Sequence, residues 1–171
     1  QNATEAINLV LRGMLRDGDH VVATSMEHNS VMRPLRWLST ECGVKVTHVD
    51  ANHAGQTKPE DVAAAIEQDT RLIVVNHAII VTGTIVPIAE IKAAIGDVPL
   101  LVDAAQTAGV LPINVKRVGI DMLACTGHKG LLGPTGTGCL CLCPGMEERI
   151  QPLMRGGTGS RSESYEQPTH L

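Results

Sequence analysis

Apolar positions along the chain fall into blocks of two kinds. In the first kind, valine, isoleucine and leucine form short, nearly continuous runs with few polar positions inside them. Such runs are typical of strands buried on both faces of a parallel sheet. They predict six strands, at residues 21–26, 44–50, 71–78, 99–105, 120–127 and 138–143.

In the second kind, apolar residues recur with the spacing of one helix face. These blocks predict helices at residues 4–15, around 35–42, at 59–68 and at 87–96. Thr4 is predicted as the N-cap of the first helix, Pro34 lies in the first turn of the second, and Pro87 and Gly96 mark the ends of the last. The alternation predicts an α/β fold, a mainly parallel sheet with helices on both faces. Ligands bind such sheets at the carboxyl ends of the strands.

Composition excludes several classes of protein. The chain has 171 residues, 43% of them hydrophobic, and a mean hydropathy of +0.08, which is typical of a globular domain. A net charge of -4 without any run of Lys or Arg argues against nucleic acid as a partner. The most apolar stretch, residues 72–89, is interrupted by Asn76, His77 and Gly83, so it is interpreted as a buried strand with its exit loop and not as a membrane span.

The five cysteines include no CxxC pair. An odd number of unpaired thiols indicates reduced cysteines and a cytoplasmic setting. Three of them lie in the stretch CLCLC, where alternation places them on one face of a strand. Packing is the better interpretation of that stretch, and no metal site is predicted.

Both termini resemble cut ends. The chain begins at Gln1 without a methionine and ends on the polar stretch RSESYEQPTHL, which has no packing pattern. We therefore expect a segment of a longer protein. Residues 1–160 are predicted to form a partial ligand-binding domain, and residues 161–171 a polar tail that leads to a missing C-terminal part.

The stretch TGHKGLLGPTGTG, residues 126–138, places Lys129 among glycines and small residues. A P-loop requires its glycines before the lysine and a hydroxyl after it, whereas here the glycines follow and Gly130 takes the hydroxyl position. A dinucleotide fingerprint that begins at Gly136 would require glycine where Cys141 stands. Neither interpretation fits, and a lysine in such a setting is suited to attack a carbonyl group.

Polar residues at strand ends and loops complete a candidate site around Lys129. Asp103 ends a predicted strand, where a helix N-cap is an equally good interpretation, and Gln106 follows three residues later. The start of the first helix, at Thr4, can bind an anion. The remaining candidates are His28, Thr126 and His128. Together these groups suit a ligand with a phosphate, a basic ring nitrogen, a phenolic oxygen and a carbonyl, which is the description of pyridoxal 5'-phosphate.

The motifs NATEAIN, GDHVVATSMEHNSVMRPL, VTGTIVPI, LLVDAAQTAG and TGHKGLLGPTGTG, followed by RGGTGSRSESYEQP, resemble those of one family in the same order. That family is the cysteine desulfurase branch of the class V aminotransferases, among the fold-type I pyridoxal phosphate enzymes. The resemblance extends over nearly the whole chain, and it implies that this chain is part of the large domain of such an enzyme.

The resemblance also implies a role for each candidate residue. Lys129 resembles the lysine that binds the cofactor covalently and later moves the proton of the substrate α-carbon. Asp103 resembles the carboxylate that pairs with the pyridine nitrogen, and Gln106 the residue that bonds the phenolic oxygen. His28 resembles the imidazole that stacks on the ring. The phosphate-side ligands correspond to Thr4, Thr126 and His128.

Two positions depart from the family pattern. Ile80 occupies the place of an asparagine near the cofactor, and Asn76, earlier on the same strand, is a candidate to compensate for it. The family's persulfide-forming cysteine is expected beyond Leu171, and none of the five cysteines here matches it.

The implied function is desulfuration of L-cysteine in a homodimer, with transfer of the sulfur to an acceptor protein. Two alternatives stay open: a class V aminotransferase or selenocysteine lyase with the same cofactor residues, and a truncated, catalytically silent domain that binds the cofactor or a partner.

Overall fold

The computed structural model describes residues 1–157 and Tyr165 and contains one six-stranded sheet. The strands are β1 His20–Thr24, β2 Lys45–Val49, β3 Thr70–Asn76, β4 Leu100–Asp103, β5 Met122–Thr126 and β6 Gly138–Leu142. Their order in the sheet is β2-β1-β3-β4-β5-β6. The five strands β1 to β5 are parallel, and β6 runs antiparallel to β5. The predicted, mainly parallel sheet is confirmed.

Helices cover both faces of this sheet. They are α1 Ala3–Met14, α2 Asn29–Glu41, α3 Pro59–Ala64, α4 Ile88–Ile95 and α5 Val115–Val118, with a 3-10 turn at Glu147–Arg149. Alternate residues of β3 divide between two apolar layers: Leu72 and Val74 pack with α1 and α2, and Ile73 and Val75 pack with α3 and α4. Burial on both faces explains why β3 is an almost uninterrupted apolar run.

The structure corrects two predictions at helix ends. Asn2, and not Thr4, is the N-cap of α1, because the Asn2 side chain accepts a hydrogen bond from the amide of Glu5 at 2.9 Å. Thr4 lies inside the first turn. Pro34 lies in the second turn of α2, since that helix already begins at Asn29 behind the N-cap His28. In both cases the helix starts earlier than the apolar periodicity indicated.

Two other segments are less regular than predicted. Residues 104–110 do not form the helix that Asp103 was expected to cap; they form successive turns, such as the bond from the Thr107 amide to the Ala104 carbonyl at 3.1 Å. Helix α3 ends at Ala64 instead of residue 68. Cys139 and Cys141 lie on β6 and are exposed, but Cys143 follows the end of the strand and packs against the apolar layer of α1 and α2. The prediction that all three thiols share one strand face is therefore wrong for Cys143.

The predicted boundary at residue 160 and the tail 161–171 lie outside the described residues, apart from Tyr165. Among the described residues, no helix is long and apolar enough to cross a bilayer.

Candidate active site

The carboxyl ends of the central strands meet at one edge of the sheet, where a cavity of about 310 Å³ opens. Asn76 and Asp103 are paired neighbours at the ends of β3 and β4, and Thr126 ends β5. Each of the seven residues predicted from the sequence lines this one cavity, namely Thr4, His28, Asp103, Gln106, Thr126, His128 and Lys129. The topology explains the convergence, because parallel strands deliver their following loops to the same edge.

Asp103 is the buried anion of the cavity. Its side chain is 3% exposed, and one carboxylate oxygen accepts a hydrogen bond from the Ala105 amide at 2.9 Å. Burial raises the pKa of Asp103, while the Ala105 amide and the nearby His28 and Lys129 act in the opposite direction. A cation placed in the cavity beside Asp103 would therefore stabilise the ionised carboxylate and be stabilised by it.

His28 has a fixed orientation at the start of α2. The Ser30 amide donates a hydrogen bond to its Nδ1 at 3.1 Å, and the Ser30 hydroxyl lies 2.8 Å from the same nitrogen. Because Nδ1 accepts from the amide, the proton of the neutral ring sits on Nε2. The residue itself is exposed to the cavity. The ring is thus held by the helix cap while its surface stays available to a flat ligand.

Lys129 lies in the turn after β5 and is half-buried. Within the described part of the chain its amine forms no hydrogen bond or ion pair. The turn is packed closely against the loop that follows β4, since a Cβ at Gly130 would lie 2.6 Å from the Ala108 carbonyl oxygen. Leu132, in the same turn, has the left-handed φ of +55° that non-glycine residues adopt rarely. The lysine is therefore held by its backbone and not by a partner of its amine.

The start of α1 also lines the cavity, through Asn2 and Thr4, and is suited to an anion. The amides of Ala3 and Thr4 have no hydrogen-bond acceptor among residues 1–157, and the dipole of a 12-residue helix adds to their attraction for a negative group. The Thr126 hydroxyl lies 3.1 Å from Nδ1 of His128, so the two side chains are arranged as a pair. Gly136 lines the same cavity directly after Thr135, and the sequence analysis did not identify it as a site residue.

Ile80 also lines the cavity, and 57% of its surface is exposed. Its side chain offers no hydrogen bond to a ligand, and the effect of this isoleucine on ligand binding stays a prediction. Asn76 lines the same cavity and is buried, with its side-chain oxygen accepting from the Ala78 amide at 3.2 Å. Asn76 is the strand partner of Asp103, so the cavity has a second side-chain amide in addition to that of Gln106. That Asn76 compensates for Ile80 stays a prediction.

Glu27 was not identified from the sequence, although it precedes His28. Its Oε1 accepts hydrogen bonds from the Thr24 hydroxyl at 2.7 Å and from the backbone amide of Asn76 at 2.9 Å. Glu27 therefore connects the end of β1 with the end of β3. Its Oε2 is buried and has no partner among the described residues. Burial, with a smaller contribution from the negative charge of Asp103, raises the pKa of Glu27 from the usual 4.5 to about 8, although the hydrogen bonds from Thr24 and Asn76 act in the opposite direction. Glu27 is therefore uncharged at neutral pH.

This buried acid predicts a pH dependence of folding. Between pH 4.5 and about 8, folded Glu27 keeps a proton that the unfolded chain releases, so its contribution to stability falls as the pH rises through this window. The slope is at most about 1.4 kcal/mol per pH unit. Glu27→Gln keeps an oxygen for Thr24 and Asn76 and does not titrate. From pH 5 to pH 8 we expect the variant to gain up to roughly 4 kcal/mol of unfolding free energy relative to the unsubstituted protein.

Urea unfolding of both proteins at pH 5, 6, 7 and 8 measures this difference. The histidines and other acids are common to both proteins, so their titration cancels in the comparison. If the unfolding free energies of the two proteins change with pH in parallel, Glu27 is ionised in the folded protein.

The donors and acceptors of the cavity fit pyridoxal phosphate. The start of α1 and the hydroxyls of Thr4 and Thr126 are suited to a phosphate, and the buried carboxyl of Asp103 is suited to a basic ring nitrogen. An exposed imidazole is available for the ring face, and an amine without a partner among the described residues is available for the carbonyl carbon. No other acidic side chain of the described residues lines the cavity, so Asp103 is the one acidic group there.

Comparison with known proteins agrees with this chemistry. The model of the class-V aminotransferase family matches residues 1–170. A probable cysteine desulfurase of Methanothermobacter thermautotrophicus is 40% identical over 161 residues, which cover 92% of this chain and 40% of that protein. The apo structure of the cysteine desulfurase from Thermococcus onnurineus is 34% identical with a TM-score of 0.84, over 91% of this chain and 40% of the other.

A further solved structure carries the cofactor. It is a variant of C-DES with glycine covalently linked to the pyridoxal phosphate cofactor, and it matches 91% of this chain and 43% of its own with 29% identity and a TM-score of 0.82. The chain thus spans about 40% of the length of the relatives that it matches. With the fold, the cavity and these similarities in agreement, the chain belongs to the class-V aminotransferase family.

Proposed function

We propose that the protein binds pyridoxal phosphate and acts as a cysteine desulfurase, converting L-cysteine to L-alanine with transfer of the sulfur to a thiol. The observation that carries this proposal is that one cavity is lined by Lys129, whose amine has no hydrogen-bond partner among the described residues, by the buried carboxyl of Asp103 and by the start of α1 at Thr4. The curated relatives, which are named cysteine desulfurases, support the choice of substrate.

Four residues of the cavity would have a task in this chemistry. The cofactor, when bound, would supply an electron sink for the electrons released at the amino acid α-carbon. Asp103 would keep the ring nitrogen protonated, and Gln106 would donate a hydrogen bond to the phenolic oxygen. His28 would cover one face of the ring and exclude water from it. Lys129 would bind the carbonyl carbon and would later carry the α-proton.

The thiol that accepts the sulfur is proposed to lie outside this cavity. None of the five cysteines of the chain lines it, although all five are among the described residues. Cys125 comes closest in sequence to Lys129, but it is 3% exposed and packs in the apolar layer of α4. We propose a cysteine elsewhere in the whole protein as the acceptor, and a separate protein as the destination of the sulfur.

The experiment that tests the function is a two-part assay with the purified whole protein, of which this chain is proposed to be a part, and added cofactor. A visible absorbance band that depends on Lys129 shows cofactor binding, and its absence contradicts the proposal. Alanine and sulfide release from L-cysteine then separates the desulfurase from an aminotransferase, which yields a keto acid. Release of alanine from selenocysteine alone would indicate a selenocysteine lyase, and binding without turnover of any amino acid would indicate a silent domain.

The 171-residue chain by itself is expected to be nearly inactive. Without an acceptor thiol in the cavity, and with Ile80 in a polar position, turnover of L-cysteine should stay below about 0.01 s⁻¹, well under the usual range of enzymes. The measurement is sulfide and alanine release, with the visible absorbance of the bound cofactor as the control that the site is formed. Turnover near 1 s⁻¹ would mean that one of the five cysteines is the acceptor, with Cys125 the first to be substituted.

A homodimer and a cytoplasmic location belong to the same proposal. Apolar side chains are exposed in the loops around the cavity, with Val110 63% and Leu132 92% exposed, and exposed apolar groups close together are typical of interaction surfaces. The five cysteines are all free thiols, which suits a reducing compartment. Light scattering of the cofactor-loaded protein tests the oligomeric state.

A further inference from the structure

Two cysteines face each other across the antiparallel pair of β5 and β6. Cys125 and Cys139 are direct partners in the strand register, and their Sγ atoms lie 2.9 Å apart. Cys141, the next thiol on β6, is the partner of Leu123 instead. The contact therefore selects one pair from the five thiols of the chain.

The two thiols differ in access to solvent. Cys125 is 3% exposed and lies under the apolar layer of α4, whereas Cys139 is exposed on the edge strand. An oxidant in solution can reach Cys139 and cannot reach Cys125. An exposed outer thiol in contact with a protected inner thiol is an arrangement in which an oxidised sulfur can be resolved within the molecule.

We propose that Cys125 and Cys139 form a reversible redox site, oxidised to a disulfide by hydroperoxides. In the first step the Cys139 thiol loses its proton, and the thiolate attacks an oxygen of hydrogen peroxide. The O–O bond breaks, a sulfenic acid forms on Cys139, and the hydroxide that leaves takes up the thiol proton as water. In the second step the Cys125 sulfur attacks the Cys139 sulfur and expels hydroxide, which leaves as water with the Cys125 proton. Two thiols and one peroxide thus give one disulfide and two waters.

The geometry requires little movement for this bond. The sulfur atoms must approach from 2.9 Å to about 2.05 Å, within the reach of small side-chain rotations. The contact with Cys125 and burial raise the pKa of the Cys139 thiol, with Cys141 the other titratable group beside it. The thiolate is therefore a minor form at pH 7, and oxidation is expected to be slow there and faster at pH 8.5.

The disulfide would act on the turn that carries Lys129. Residues 126–138 connect the two strands, and they include Thr126, His128 and Lys129, which line the cavity. A bond between residues 125 and 139 closes this connection into a covalent loop and restricts the unfolded chain. The disulfide thus stabilises the folded lysine turn, and a thiol reductant removes this stabilisation. This effect on stability does not depend on the proposed enzyme activity.

The experiment is oxidation of the purified protein with hydrogen peroxide at pH 8.5, followed by alkylation of the remaining thiols in denaturant. We expect the mass to fall by about 2 Da and the alkylated thiols to fall from the five of the sequence to three. Trypsin should cut after Lys129, so Cys125 and Cys139 lie in separate peptides, 118–129 and 130–149. Because the second peptide also contains Cys141 and Cys143, fragmentation of the linked pair in the mass spectrometer locates the bond at Cys139. The unfolding temperature should rise by about 5–10 °C and return after reduction.

Two variants make the assignment specific. Cys139→Ser should abolish both the linked peptide and the rise in unfolding temperature, and Cys141→Ser, on the same strand face, should retain both. Five alkylated thiols after oxidation, a link through Cys141 or Cys143, or a link between two molecules would each overturn the proposal. A Cys125–Cys139 link without any change in unfolding temperature would overturn its action on the lysine turn.

Discussion

Borohydride reduction of the protein in the presence of pyridoxal phosphate is expected to label Lys129 and no other lysine. Its amine lacks a hydrogen-bond partner within residues 1–157 and lines the cavity, whereas Lys45 is paired with Asp69 at 2.6 Å and Lys92 with Asp121 at 2.9 Å. Peptide mapping locates the pyridoxyl group. Lys129→Ala should abolish the label and lower turnover of the whole protein by on the order of a thousandfold or more, because both the nucleophile and the proton carrier are lost.

The matched control is Lys116→Ala, which removes an exposed lysine of α5 that takes no part in the cavity. It should leave the label on Lys129 and turnover unchanged. A pyridoxyl group at another lysine, with turnover retained in Lys129→Ala, would contradict the assignment of the site.

Asp103→Asn is expected to lower turnover by on the order of a thousandfold or more while it changes stability little. At about 3 Å and an effective dielectric constant near 20, a carboxylate and a ring cation attract each other by roughly 5 kcal/mol before desolvation. An amide cannot hold the ring nitrogen protonated, and a loss of several kcal/mol of transition-state stabilisation gives that factor. The amide oxygen can still accept from the Ala105 amide, so the turn after β4 is retained.

The measurements are kcat of the whole protein and the urea midpoint of the same preparation. Asp121→Asn is the contrasting control, because Asp121 accepts from Lys92 and from the Leu100 amide away from the cavity. It should lower the unfolding free energy and leave kcat nearly unchanged. Normal turnover of Asp103→Asn would show that Asp103 serves only the turn.

Much of the fold follows from local pattern. Uninterrupted apolar runs such as β3 can be buried only between two layers, and their alternation with helical blocks predicts parallel strands with helices on both faces. The same argument brings strand-terminal residues to one edge, so Asp103 and Thr126 could be expected in one site before any coordinates. The glycines around Lys129 indicate a closely packed turn, because such packing permits no Cβ at Gly130.

Other features depend on contacts between residues far apart in sequence, which periodicity does not contain. Turns replace the helix predicted after Asp103. A local sequence pattern does not show that turns, and not a helix, pack against Gly130. Glu27 resembles a surface acid in sequence, and only its burial beside Asn76 and Asp103 makes it a neutral one.

The sequence by itself determined the fold class and the residue types of the site, because these depend on hydrophobic period and on chemistry carried within short motifs. Tertiary structure alone decided which buried side chains are charged and which distant ones are paired. The neutral Glu27 and the contact of Cys125 with Cys139 both arise from it. The physical reason is that burial and strand register set the local dielectric and the distances between groups, and neither quantity is a property of a short stretch of chain.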